Sequence, residues 1–474
     1  MSTGVGSTAQ TARAPLSFVF VVATTSLSFF MGQLDVTIVT VALPRIAAQL
    51  SAGLTDLQWV VDAYTLAFAV SMLSAGALGD RLGVRRGLQL GMGFFAAASL
   101  GCASAPSATW LTLARVFQGV GAAVMLPNSL ALLNQTFSHD VEQRAKAVGW
   151  WTASGAISLA LGPLLGGLLL TALGWRWIFL VNLPVCALGL FLVARFPHGG
   201  GERPGGGLDI TGQLCAAAGL TLLTAGIIGS GHAGSGQRLE GVFLVAAVLC
   251  AALFVVVERR APSPILPRQL FAGRAFLPAV GYGMVMNFTY YGSIFMLSIF
   301  LQDSLGYSPM RAGVAFLPLT AGFFISNVVS GSFVARFGAR LPMLLGACID
   351  ALGFALLLRV SSHSAYADLT LGFFLIPLGM GLGVPAMTGA VLAAVPDRLS
   401  ATASALLNTA RQACGAVGVA VLGAWAQGGP ERIAGSIRRA ALLCTLLLVG
   451  AFCLAWRVGP RATRGGERPR VERS

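Results

Sequence analysis

The chain has 474 residues, 31 of them basic and 17 acidic, so that charge makes up 10% of it where ordinary soluble domains carry roughly a quarter. With 56% hydrophobic residues and a mean hydropathy of +0.79, there is too little polar surface to cover a water-facing body; a soluble globular protein, a disordered chain and a collagen are excluded together. The formal charge of +14 does not mark a nucleic-acid binder, because the basic residues are scattered between apolar runs instead of gathered on one soluble face.

Residues 1–15 are small and polar, and the apolar run that opens at Leu16 is too long for a signal-peptide core and lacks a small-residue cleavage site, so it is expected to stay as the first membrane helix. A spanning helix needs about 20 mostly apolar residues, since every backbone polar group must be satisfied within the bilayer. Fourteen segments qualify: 16–40, 57–78, 87–105, 108–133, 145–172, 176–195, 209–229, 239–257, 276–301, 311–335, 341–358, 367–395, 401–425 and 438–457. This predicts an all-α, multi-pass protein of the plasma membrane with both termini on one side. With a cytoplasmic N-terminus, the inner loops hold 21 of the 31 basic residues and the outer loops eight, which obeys the positive-inside rule. The outer group Arg432, Arg438 and Arg439 runs against it.

The eight cysteines lie in apolar runs without a CxxC pair and read as small buried residues. His139, His198, His232 and His363 are far apart in loops, so no metal ligand set is expected. No P-loop, catalytic carboxylate pair or nucleophile elbow occurs, which leaves neither an enzyme nor a resident cofactor in view. The halves repeat: Gly76–Arg86 and Gly331–Leu341 share Gly, Arg, Gly and Arg at an offset of 255, and QGVGAA from Gln118 echoes LGMGLG from Leu378 at 260. This predicts a six-helix bundle over 1–200, two inserted helices over 201–260, and a second six-helix bundle with a basic tail over 261–474.

Seven strings, in order along the chain, resemble the major facilitator superfamily and within it the fourteen-spanner drug:proton antiporters. They are LDVTIVTVALP from Leu34, GALGDRLGVRR from Gly76, RVFQGVGAA from Arg115, GAISLALGPLLGG from Gly155, WRWIFLVNLP from Trp175, FLQDSLGYSPMRAGVAFLP from Phe300 and NTARQACGAVG from Asn408. The resemblance implies the major facilitator fold, a conformational gate at Asp80, Arg81 and Arg85, and an antiporter motif at Gly155, Gly162, Pro163, Gly166 and Gly167. Physically, those glycines thin helix 5 for a close neighbour and the proline is expected to kink it.

Charges inside apolar runs are expensive and default to functional candidates. Arg115 lies about seven residues into helix 4, and Gln118 is near enough to share its partner. Asp35, late in helix 1, and Asp62, early in helix 2, are expected at similar depth in the outer part of the membrane, with Asp350 near mid-depth in helix 11. Arg411 has either Asp350 or Asp35 as a partner, and the sequence does not choose. The resemblance implies proton coupling at Asp35 and Arg115 and cation recognition at Asp62; Asp350 joins the first pair as a further buried acid, and Tyr64, Gln118, Asn287, Tyr290 and Tyr291 join Asp62 in substrate binding, the aromatic faces among them suiting organic cations. A buried carboxylate that takes either a proton or a cation is the simplest basis for exchange.

The expected function is a monomeric exporter that moves amphipathic drugs or antibiotics, cationic ones among them, against protons by alternating access. Lipid, drug and proton are its partners; protons are its coupling ion, and nucleic acid is not among the partners. A metabolite or nutrient facilitator of the same fold is the alternative, and a non-transporting membrane sensor a more distant one.

Overall fold

A computed structural model describes residues 17–137, 140–196, 210–230, 237–261, 268–361, 364–396, 399–426 and 430–459. Every regular element among them is helical. The Ser17 hydroxyl caps α1 (Phe18–Leu50) by accepting from the Phe20 amide at 3.3 Å. This helix runs ten residues beyond its expected end, through Pro44, and stops only at Ser51, which adopts a left-handed φ of 52°. Asp56 closes the start of α2 (Leu54–Leu82) by accepting from the Gly53 amide at 2.9 Å. Next come α3 (Val84–Ala103), α4 (Ala108–Thr136), capped by Ser107, and α5 (Val141–Ala172), capped by Asp140 and continuous through Pro163. The sixth expected segment forms two pieces, α6 (Trp177–Leu180) and α7 (Asn182–Val193).

Two helices follow, α8 (Ile210–Ser230) and α9 (Gln237–Arg260). The rest of the chain forms α10 (Phe276–Ile299), which ends in a π turn at Phe300–Ser304, then α11 (Pro309–Ala315) and α12 (Leu317–Phe337), separated where Pro318 forbids an unbroken hydrogen-bond ladder. The last four are α13 (Arg340–Leu357), α14 (Tyr366–Ala393), α15 (Ser400–Trp425) and α16 (Pro430–Arg457). Each expected segment thus holds a helix. Among the described residues, ten stretches are long and apolar enough to cross a membrane by length and composition.

Helices α1–α7 pack chiefly on one another, α1 on α5, α2 on α4, and α3 on α4 and α7. The pattern recurs in α10–α16, with α10 on α15, α12 on α14, and α13 on α14 and α16. The two groups meet along two seams, α2 against α15 and α5 against α11 and α12. Helix α8 lies on both α2 and α15, with α9 outside it.

Internal repetition is visible in the backbone. Gly83, between α2 and α3, has a φ of 84°, and Gly338, 255 residues on and between α12 and α13, has 75°. Both turns need a residue without a Cβ. The second echo is corrected. A Cβ on Gly91 would come within 3.2 Å of Gly121 O and 2.9 Å of Met125 N, and one on Gly346 within 2.6 Å of Gly379 O and 3.0 Å of Gly383 N. Packing therefore equates Gly121 with Gly379 and Met125 with Gly383, 258 residues on, where the strings had suggested 260. A slip of two residues turns a helix by about 200°, so contacts fix the register more tightly than letters do.

The expectation for cysteine is also corrected. Cys102, Cys186 and Cys444 are buried, but Cys348 and Cys453 are exposed on helix faces and Cys215, Cys250 and Cys414 lie between these extremes. In a membrane protein an outward face is itself apolar, so an apolar run does not imply burial. All four histidines lie outside the described residues.

Candidate functional site

The longer α1 moves Asp35 from the expected outer end to the helix middle, the eighteenth of 33 residues, where it is 1% exposed. Its carboxylate forms a salt bridge with Nη1 of Arg115 on α4, both side chains fully buried. The other oxygen of Asp35 accepts from Gln118 Nε2 at 2.9 Å and from Asn182 Nδ2, at the start of α7, at 3.3 Å. Arg115 also donates to Gln118 Oε1 at 2.8 Å and to Val60 O of α2 at 3.0 Å, and its guanidinium lies 4.2 Å from the centre of the Tyr64 ring. Ser99 of α3 accepts from Gln118 and Asn182, and Tyr64 donates to Gly32 O at 2.8 Å. Helices α1, α2, α3, α4 and α7 therefore converge on one charged pair wrapped in neutral donors, the arrangement that makes a buried ion pair tolerable.

Tyr64 and Gln118, expected to bind substrate, are committed to this network in the present conformation. Asn182 and Ser99 are functional candidates that the sequence reading missed. An amide interrupting the apolar run WIFLVNLP was a usable signal for Asn182; a serine among alanines offered none for Ser99.

Asp62 is buried and neither carboxylate oxygen has a hydrogen-bond partner. Gln58 Nε2 donates to Ala420 O at 3.2 Å and Thr409 Oγ1 to Ala69 O at 3.0 Å, fixing α2 antiparallel to α15 and setting Asp62 opposite Ala416 on the seam. Asp350 sits under Gly379 of α14, where a Cβ would come within 2.8 Å of its own Cβ; its Oδ1 is buried and unbonded. Arg411 pairs with neither Asp350 nor Asp35. Its Nε donates to Asn287 Oδ1 at 3.0 Å. Tyr290 is buried, its ring 5.6 Å from that of Tyr291. A small cleft between the two groups is lined by Val36, Thr37, Val61, Thr65, Tyr291 and Gly415 among others, and of the residues expected to bind substrate it includes Tyr291.

The glycines of α5 mark close crossings. A Cβ on Gly162 would strike Thr37, one on Gly166 would come within 2.7 Å of Ile38 O, and Gly155 faces the Phe29 ring. Gly167 looks the other way, onto Pro309 O at 2.9 Å, while Gly313 of α11 faces Pro163 O at 2.6 Å. Arg85 donates to Val193 O at 3.2 Å and Ala194 O at 2.7 Å, tying the start of α3 to the end of α7. The side chains of Asp80 and Arg81 lie outside the described residues.

The family model described as Major Facilitator Superfamily matches residues 25–419. The chain belongs to that superfamily. It is a transporter, not an enzyme, and a multi-pass protein of the plasma membrane. This major facilitator transporter is 37% identical over 399 residues to the multidrug resistance protein Stp of Mycobacterium tuberculosis, covering 84% of this chain and 74% of that one. Identity is also 37% to the methylenomycin A resistance protein of Bacillus subtilis, over 84% of this chain and 85% of the other, and to the cephamycin export protein CmcT of Amycolatopsis lactamdurans, over 85% of each. Among solved structures, a peptide transporter crystallised with sulfate superposes with a TM-score of 0.69 at 17% identity, covering 93% of this chain and 95% of its own. That likeness concerns the fold alone.

Proposed function

We propose that the protein is a proton-coupled antiporter that exports amphipathic drugs or antibiotics from the cytoplasm. In this reading it has fourteen spans, both termini inside, and two six-helix bundles divided near residues 200 and 260 by the inserted pair. The relatives named for resistance and export support the substrate class. The buried Asp35–Arg115 pair carries the coupling.

A permanent guanidinium within the membrane needs a negative partner or water. While Asp35 is ionised, Arg115 is neutralised where it stands and Gln118 and Asn182 hold the carboxylate from its other side. A proton arriving on Asp35 removes that counter-charge. Arg115 then has to find other acceptors, and since it already reaches Val60 O on α2, its movement is passed to the helix that forms the α15 seam. Proton binding thus biases the two-state equilibrium of the groups, and exchange follows where the protonated and the drug-loaded forms exclude one another. Asp350, buried in the second group, is a further proton site in this scheme.

Proteoliposomes with an imposed pH gradient test the proposal. Accumulation of a fluorescent amphipathic dye is expected to follow the gradient, and Asp35→Asn to abolish it while downhill exchange of the dye persists. Accumulation that ignores the gradient would identify a uniporter.

A further inference from the structure

Arg411 is the twelfth of 26 residues in α15, well inside the span, and its surroundings contrast with those of Arg115. Among the described residues its one hydrogen bond is from Nε to Asn287 Oδ1; the side chain is partly exposed, its terminal amino groups reach no protein acceptor, and no carboxylate lies within ion-pair distance. Arginine only donates, so the bond fixes the orientation of the Asn287 amide: its oxygen faces Arg411 and its nitrogen looks away. That nitrogen is buried and unbonded, and Asn287 is 1% exposed. One turn along, the Tyr290 hydroxyl is likewise buried without a partner.

A fixed positive charge and an unmet amide donor thus stand together where α10 and α15 pack. The gathering is built in. Gly283 of α10 is bare where the Arg411 stem passes, since a Cβ there would come within 3.1 Å of its Cγ. The cluster also borders the seam between the two groups, closed here to about 10 Å³. Tyr291 and Gly415, which line the cleft between the two groups, stand one helical turn, about 6 Å, from Asn287 and Arg411 on the same helices.

We propose that Arg411 and Asn287 form a binding site for an anionic group, a carboxylate above all, on a substrate that enters through the cleft between the two groups. A carboxylate supplies the missing counter-charge and accepts from a guanidinium in the bidentate geometry that arginine favours. The substrate class named here rests on the exporter reading, but the site does not depend on proton coupling. The drug would carry an acid and an apolar body, its body against Tyr291 and the aliphatic wall of the cleft.

Three probes that differ only in charge test the site: 2-naphthoate, the uncharged 2-naphthamide and the cationic 2-naphthylmethylammonium. Their equilibrium binding to the detergent-purified full chain needs no gradient, so its outcome is separate from that of the antiport experiment. Naphthoate is expected to bind about tenfold or more tighter than either other probe, as one desolvated charge-assisted contact would give. Arg411→Gln should remove that preference. Asn287→Asp, which keeps Arg411 and places a carboxylate beside it, should remove it as well, and it guards against a variant that simply misfolds. Equal binding of the three probes, a preference for the ammonium, or naphthoate affinity unchanged in either variant would overturn the proposal.

Discussion

Asp35 accepts from residues on α4 and α7 while its ion-pair partner reaches α2, so the charge of one carboxyl is felt by four helices. Removing a single partner of such a pair leaves an uncompensated buried charge, which costs about 3–5 kcal/mol. Arg115→Gln is therefore expected to lower unfolding stability in detergent by about that amount, and Asp35→Asn combined with it to recover most of the loss. A double variant destabilised by the sum of the two single losses would show that the two side chains act independently. At this scale the sequence was legible wherever a charge interrupts an apolar run, as at Asp35, Asp62, Arg115 and Asp350. Partnerships were not, because α7 lies about 150 residues from Asp35 and nothing local says that Asn182 returns to it. Arg411 shows the same limit, since its isolation from both candidate acids is a matter of which helices pack together.

At the scale of the element, α5 carries the clearest correspondence between letters and contacts. Gly162 and Gly166 admit the α1 backbone and Gly167 admits α11, whereas nothing lies within 4 Å of a Cβ built on Gly149 in the same helix. Gly149→Ala should leave stability unchanged or raise it by up to about 1 kcal/mol, the helix-interior difference between the two residues. Gly162→Ala should lower it by about 1–3 kcal/mol through overpacking against Thr37. Thermal unfolding of the two variants side by side checks the contrast, and equal effects would refute it. The all-helical class and the place of each helical segment were readable from hydropathy, but helix ends and the breaks at α6–α7 and α11–α12 were not. The ten residues that α1 gains beyond the expected stop at residue 40 include Pro44 and Arg45, both inside the helix. Composition cannot reveal that a helix outlasts the apolar stretch it carries.

For the molecule as a whole, bonds between the two groups gather toward the end bearing the α1–α2 turn. Gln58 donates to Ala420 O, Ser298 to Thr40 O at 3.0 Å and Gln302, in the π turn, to Val41 O at 3.2 Å. Each is a side chain of one group on the main chain of the other, a contact that breaks without rearranging either group. At about 1 kcal/mol apiece, removing two should move the balance between closed and open forms by about 2 kcal/mol, about thirtyfold in population. Gln58→Ala with Gln302→Ala should therefore lengthen the spin-label distance between positions 48 and 367, both exposed at that end. An unchanged distance distribution would refute a holding role for these two bonds.

Helix α8 rests on α2 and α15 together, and Gln213 donates to Val70 O of α2 at 3.0 Å. In the proposed alternating-access cycle that seam opens, and α8, packed on both sides of it, keeps only one neighbour; the α8–α9 hairpin then travels as an outrigger of that neighbour's group. Its outer helix presents Leu239, Val242, Val245, Val248 and Leu249 outward, so each stroke drags a greasy paddle through the surrounding hydrocarbon. Acyl-chain viscosity becomes part of the friction of the cycle, and the turnover rate inherits the fluidity of the bilayer in which the protein sits.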